Sequence, residues 1–230
     1  MMKKRKIYLT VTVIAAAAAV VCAVSAVRQY RNEKEAGSGY EQIREEVKAE
    51  EPPAEPEADA EPSVEIPIDF EALQERNPDV YAWITVPGTQ IDYPILQREN
   101  DNTYYLTHTI DHEEKTEGAI FTENYNSTDF GDPNTVIYGH DMKNGTMFRS
   151  LLDYQDREFF EENKEIIIYT PDAIRHYEIF AGYPYDNRHI LRSFNLNDKN
   201  IFRIYSGKYF FLSWNIEFLV LDTSMEVDTD

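Results

Sequence analysis

Cysteine is almost absent from this chain. One is present in 230 residues, Cys22, and it lies inside an apolar N-terminal run. A single cysteine excludes an intrachain disulfide framework. Basic residues are scarce too: 22 Lys and Arg stand against 42 Asp and Glu, for a formal net charge of −20. Four of the basic residues cluster at Lys3, Lys4, Arg5 and Lys6, so the rest of the chain is more acidic still. Such a surface repels phosphates and carries no basic stripe, which excludes nucleic acid as a partner. No internal repeat is visible. No Gly-x-Ser-x-Gly elbow accompanies the histidines, which argues against a Ser-His-Asp hydrolase. What the chain does have is tyrosine, 16 residues against 12 Phe and 2 Trp. Tyrosine suits strands and half-buried surfaces. The length allows one or two domains, and a hydrophobic fraction of 42% is enough for a core.

Ile7 to Val27 carries no charge. As a helix it spans roughly 32 Å, about one bilayer core. The basic flank before it favours a cytoplasmic N-terminus. Arg28 and Arg31 follow the span and weaken that asymmetry slightly. Two readings stay open: an uncleaved membrane anchor, and a signal peptide processed near Val24-Ser25-Ala26. The run exceeds the roughly 7–15 residues of a signal core, which favours the anchor. The chain beyond it then lies outside the cell, at the membrane. Cys22 reads as a small apolar residue of that helix. Val21 precedes it, where a lipidated cysteine wants a small residue.

Glu33 to Glu65 holds 12 acidic residues, 3 basic residues and 4 prolines. With few large apolar side chains it cannot bury enough surface to fold alone. Gln29 to Val47 reads as a helical continuation of the span. Beyond it, acid repulsion and proline extend the chain. The expected division is therefore 1–27 basic flank and anchor, 28–65 acidic linker, and 66–230 folded domain.

From Ile66 onward the pattern changes. Asp69 to Arg76 reads as a short amphipathic helix, with Phe70 and Leu73 on one face. Asn77-Pro78 ends it. Val80–Val86 and Ile91–Leu96 read as strands about a Pro87-Gly88 turn. Asn102 to Leu106 reads as a helical turn. Gly118–Phe121 and Thr135–Gly139 are short apolar strands. Met147 to Phe160 reads as a helix. Glu165–Tyr169 and Ile174–Tyr183 read as strands about a Thr170-Pro171-Asp172 turn, and Asp198 opens a further helix. Many short strands with few helices predict a mostly β fold, a closed or nearly closed barrel. His108, Asp111 and His112 have the i, i+4 spacing of a metal site on a helix, but Thr107 to Ile110 carries no helical signal, so no metal is expected.

The stretch Thr135-Val136-Ile137-Tyr138-Gly139-His140-Asp141-Met142-Lys143-Asn144-Gly145-Thr146-Met147-Phe148 is an apolar strand ending on a histidine and running into a Lys-Asn-Gly turn. A histidine at a strand end can move protons near neutral pH. This stretch resembles the histidine motif of class B sortases, the cysteine transpeptidases that fix proteins to Gram-positive cell walls. Four further segments resemble the same family in the same order: Asn77 to Ile84, Pro87 to Gln97, Asp101 to Leu106, and Gly118 to Phe121. The resemblance runs from about Asp69 to Asp198. It implies an eight-stranded β-barrel with added helices and no cofactor. It also implies a thiolate that attacks a sorting-signal peptide, a histidine that protonates the leaving amine, and an arginine that holds the oxyanion. An amine of a cell-wall precursor then resolves the thioester. By resemblance His140 is the catalytic histidine, and Asn102 and Leu106 line the substrate groove. Their structural alternatives are a helix cap for Asn102 and a core residue for Leu106.

The resemblance also implies a Leu-Ser-Thr-Cys strand and an arginine on the strand after it, and neither is recognisable. Two alignments of the tail stay open. In one, Leu221 to Val227 resembles the loop just before the cysteine strand. In the other, Ser224 stands where the thiol belongs, and a serine there needs a dedicated base. Ile201 to Val220 is too aromatic for one surface helix and is interrupted by Gly207. It receives no element. Arg149, Arg157, Arg175, Arg188, Arg192 and Arg203 follow His140, but none in the matching position, and each reads as a surface residue. The expectation is a C-terminally truncated or degenerate class B sortase. Its barrel would lack the final strands, and it would have no transpeptidase activity by itself. The alternative is a non-catalytic protein that grips sorting signals without cutting them.

Overall fold

The computed structural model describes residues 2–48, 65–132, 134–179, 183–184, 211–212 and 216–222. They fall into two units, Met1–Glu35 and Ala36–Asp230. The first is one helix, α1 (Met2–Glu35). Its segment Val11–Asn32 has a mean hydropathy of 2.2 and is long and apolar enough to cross a membrane, a test a signal sequence also passes. Val13, Ile14, Val20 and Val24 are exposed, and so is Cys22.

The second unit opens with α2 (Ser38–Val47). The helical continuation expected over Gln29 to Val47 therefore breaks at Ala36 and Gly37. Tyr40, Ile43 and Val47 are buried in the same core as the strands, so this part of the stretch read as a linker packs onto the folded unit. Full burial of a side chain such as Ile43 or Val47 contributes about 1.5–3 kcal/mol. Glu46, on the exposed side, reaches Arg76 at 3.2 Å. Acidic composition concealed an amphipathic stripe at helical spacing.

α3 (Phe70–Arg76) begins where Asp69 accepts from the Ala72 amide at 2.9 Å, an N-cap satisfying one free donor of the first turn. Phe70 and Leu73 are its buried residues, as the pattern predicted. Then follow β1 (Val80–Thr85), β2 (Asp92–Leu96), a 3-10 turn at Tyr104–Leu106, β3 (Ile120–Thr122) and β4 (Asn134–His140). The helix expected over Met147 to Phe160 is two pieces. A 3-10 segment covers Phe148–Gln155, and α4 covers Arg157–Glu162. The division falls at Asp156, whose carboxylate accepts from the Phe159 amide at 3.0 Å and caps a new helix. β5 (Glu165–Tyr169) and β6 (Ile174–Glu178) form the expected hairpin, which closes at Glu178 within the longer strand that was read.

The strands make one seven-stranded sheet, β6-β5-β1-β2-β3-β4-β9, with β9 at Ile216–Asp222. The β2–β3 pair is parallel and the others are antiparallel. A separate parallel pair joins β7 (Tyr183–Pro184) to β8 (Phe211–Leu212). The curled sheet is a partial barrel, and Trp83, Ile84, Ile95, Leu96, Ile120, Ile137 and Phe148 lie in its core. Part of the aromatic stretch that received no element is β9. It pairs with β4 along its whole length, from Asn134 opposite Asp222 to His140 opposite Ile216. The edge of β4 is thus covered. Leu221 and Asp222 sit at the opposite end of β4 from His140. Ser224, Arg188, Arg192, Arg203, the Pro52–Pro62 stretch and the helix expected from Asp198 lie outside the described residues.

Candidate functional site

β4 delivers His140 to the end of the sheet. Both faces of the strand are covered at its start, where the consecutive residues Val136 and Ile137 are fully buried, while His140 at its end is half-buried. The residue before it, Gly139, is tightly enclosed. A Cβ on Gly139 would stand 2.4 Å from Ile120 Cδ1 and 2.8 Å from a ring carbon of Phe148. A side chain there would force the Ile120 and Phe148 side chains to shift. After His140 the chain turns tightly. The Gly145 amide donates to the Met142 carbonyl at 2.9 Å, and the Thr146 amide donates to Asn144 Oδ1 at 3.2 Å.

The imidazole of His140 meets the Tyr104–Leu106 turn. Nε2 lies 2.6 Å from the Leu106 carbonyl oxygen. A carbonyl only accepts, so Nε2 carries the hydrogen. Leu106 itself is partly buried and packs against the core, while its backbone carbonyl meets His140. Asn102 does not cap the turn. Thr103 occupies the cap position with no side-chain bond, and Asp101 Oδ1 accepts from the Thr103 amide at 3.1 Å. Asn102 Oδ1 instead accepts from the Asn124 amide at 2.8 Å. The segment carrying Asn124 is pinned by Gln97, whose Nε2 lies 3.0 Å from Thr122 Oγ1, 3.1 Å from the Glu123 carbonyl and 2.9 Å from the Asn126 carbonyl. Tyr138, on β4, donates its hydroxyl to Glu123 at 3.3 Å. Asn102 and β4 therefore attach to neighbouring residues of one loop, and Tyr125 of that loop is 49% exposed.

Gln97 and Gly118 are the positions that sequence reasoning passed over. Both stood inside segments carrying the family resemblance, but only as strand residues. The available signals were a polar residue closing an apolar strand and a glycine opening one.

The nearest arginine in sequence, Arg149, is half-exposed and pairs with Asp141 at 3.5 Å. His108, Asp111 and His112 serve other partners. Arg76 holds Asp111 through contacts of 2.6 and 2.9 Å and keeps its carboxyl below the usual range. His108 stacks on Tyr104 with centroids 4.0 Å apart, and the Tyr104 hydroxyl lies 3.2 Å from His112 Nδ1. Among the described residues no three such groups converge as a metal site would require.

A mixed, curled sheet whose parallel β2–β3 step leads to a strand-end histidine is the sortase type of barrel. The sequence model of the sortase domain matches residues 84–204, and this chain belongs to that family. Its relatives are class B. The chain is 40% identical over 119 residues to sortase B of Listeria monocytogenes, covering 52% of this chain and 48% of the relative. It is 32% identical over 114 residues to sortase B of Staphylococcus aureus, covering 50% and 46%. It thus spans about half the length of these two relatives. Among solved structures, a Clostridium perfringens sortase B superposes with a TM-score of 0.59 at 26% identity, over 70% of this chain and all of that one. A Bacillus anthracis protein described as similar to sortase B superposes at 0.50 with 33% identity, over 63% of each.

Proposed function

We propose that this chain binds sorting-signal peptides beside His140, and that the polypeptide by itself does not form an acyl-enzyme. The observation supporting this is the bond from His140 Nε2 to the Leu106 carbonyl at 2.6 Å, which joins the family histidine to the turn that the resemblance assigns to substrate. The resemblance assigns Asn102 to the same groove, and its Oδ1 accepts from the Asn124 amide at 2.8 Å. The thiol is the missing part: the one cysteine among these 230 residues is Cys22, in α1. The family reaction needs a thiolate to attack the peptide carbonyl, a proton from histidine to the departing amine, and an arginine at the oxyanion. Among the described residues, the arginine next after His140 in sequence, Arg149, pairs with Asp141 at 3.5 Å. In this reading residues 1–27 anchor the chain with its N-terminus in the cytoplasm. Residues 28–65 connect, with α2 folded back onto the unit that follows, and residues 66–230 form the sortase-type domain outside the membrane.

The test uses the full chain in detergent micelles with labelled peptides from the C-terminal sorting regions of secreted proteins of the source organism. Saturable binding with no mass increase on the protein is expected. An acyl adduct in intact-mass spectrometry, or no binding to any peptide of the set, overturns the proposal.

A further inference from the structure

Gly118 lies against the turn that holds His140. Its φ is +54°, a left-handed conformation that strains residues bearing a β-carbon. A Cβ built there would stand 2.3 Å from the Tyr105 carbonyl oxygen and 2.9 Å from the Leu106 carbonyl oxygen. Both atoms are backbone, so the turn itself would have to move. The neighbouring Ala119 amide donates to the Tyr105 carbonyl at 3.0 Å, which draws the two segments together. From the other side, α2 supports Gly118. The buried Tyr40 hydroxyl donates to the Gly118 carbonyl at 2.9 Å, and burial raises its pKa, so it stays a neutral donor. The same helix entry also grips the loop after His140, since Asn144 Nδ2 donates to the Ala36 carbonyl at 2.8 Å.

We propose that Gly118, backed by Tyr40, is the positioning element that sets the tautomer of His140 and so makes Nδ1 its working nitrogen. The inference rests on reading His140 as the functional histidine of the site. The Leu106 carbonyl takes the Nε2 hydrogen in both charge states of the ring. Release of a proton from Nδ1 converts the imidazolium to the neutral Nε2–H form, and uptake at Nδ1 reverses it. Neither step breaks the bond to Leu106, so the ring keeps its orientation while it exchanges a proton. Without the close approach that Gly118 permits, the carbonyl withdraws and the tautomer is no longer selected. His108 is an internal contrast. Its Nδ1 lies 2.9 Å from the Tyr104 carbonyl, so the hydrogen there is on the other nitrogen.

The experiment is a long-range proton–nitrogen NMR correlation on the full chain, labelled with nitrogen-15 histidine, in detergent micelles at a pH where the imidazoles are neutral. His140→Gln and His108→Gln assign the two signals by their loss. In the unsubstituted chain His140 should show a hydrogen on Nε2 and a lone pair on Nδ1, and His108 the reverse. Gly118→Ala should move both His140 nitrogens toward the tautomeric average and leave His108 closer to its original values. Tyr40→Phe should shift His140 the same way by less. A His140 that carries its hydrogen on Nδ1 overturns the proposal, as does a folded Gly118→Ala chain with unchanged His140 shifts. If Gly118→Ala fails to fold, unchanged His140 shifts in Tyr40→Phe overturn it instead. Peptide binding is not read here, so loss of the binding reading and loss of the tautomer assignment are separate results.

Discussion

His140 and His108 both donate to carbonyls of the Tyr104–Leu106 turn, and the two bonds leave them with opposite capacities. His140 is fixed at the end of a buried strand through Nε2. Around it, Gly118 faces backbone carbonyls too closely for a side chain, and Gly139 faces the side chains of Ile120 and Phe148. His108 is fixed through Nδ1 and lies flat on Tyr104, with the Arg98 guanidinium 4.0 Å from the same ring. Its ring face is used for stacking. A histidine's presence in a sequence therefore says little; which nitrogen its neighbours occupy decides what it can do.

The largest expected effect comes from removing packing next to the strand end that carries His140. Phe148 is fully buried against Gly139. Phe148→Ala should cost about 3–5 kcal/mol. That corresponds to a melting shift of roughly 2–4 °C per kcal/mol for a domain of this size, read by near-ultraviolet circular dichroism. His140 NMR signals should broaden while His108 keeps its stacked environment.

Asn77 connects the two regions. Its Nδ2 donates to the Ile110 carbonyl at 2.7 Å and to the Tyr105 hydroxyl at 3.0 Å, and its Oδ1 accepts from the Asp79 amide at 3.0 Å. Asn77→Ala leaves buried partners unsatisfied and should cost about 1–3 kcal/mol in urea unfolding. Unlike Phe148→Ala it should disturb both histidines. If only one responds, the two regions are less linked than the hydrogen bonds indicate.

The smallest effect comes from an ion pair between α3 and the loop after His108. Arg76 holds the Asp111 carboxyl below its usual range, chiefly by hydrogen bonding. A depressed folded-state pKa stabilises above the ordinary carboxylate value of about 4 and is lost as pH falls through the lowered value. The pair is largely exposed, so Arg76→Gln should cost only about 0.2–1 kcal/mol at neutral pH. The difference from the unsubstituted chain should shrink in acid below about pH 4. His140 should not respond.

The sequence made β1, β2, α3 and the β5–β6 hairpin legible because the Phe70–Leu73 spacing, the short apolar runs and the Pro87-Gly88 and Thr170-Pro171-Asp172 turns all point the same way. Motif resemblance located His140 and the turn beneath it. What stayed hidden depends on partners far along the chain. The packing of α2 was obscured because its buried stripe of Tyr40, Ile43 and Val47 sits among acidic residues. The split at Asp156 needed cap geometry, since one apolar pattern runs through both pieces. β9 was unassigned because a continuous aromatic run does not declare a period. The bond from His140 to Leu106 joins residues 34 positions apart through a backbone atom, and no side-chain pattern encodes it.

Binding of a labelled sorting-signal peptide to the full chain, compared between His140→Gln and His108→Gln, tests the central claim most directly. Loss of one hydrogen-bonding group at the groove should weaken binding about 2- to 12-fold in His140→Gln. His108→Gln should bind as the unsubstituted chain does. Equal weakening in both, or weakening in His108→Gln alone, would contradict the assignment of His140 as the functional histidine.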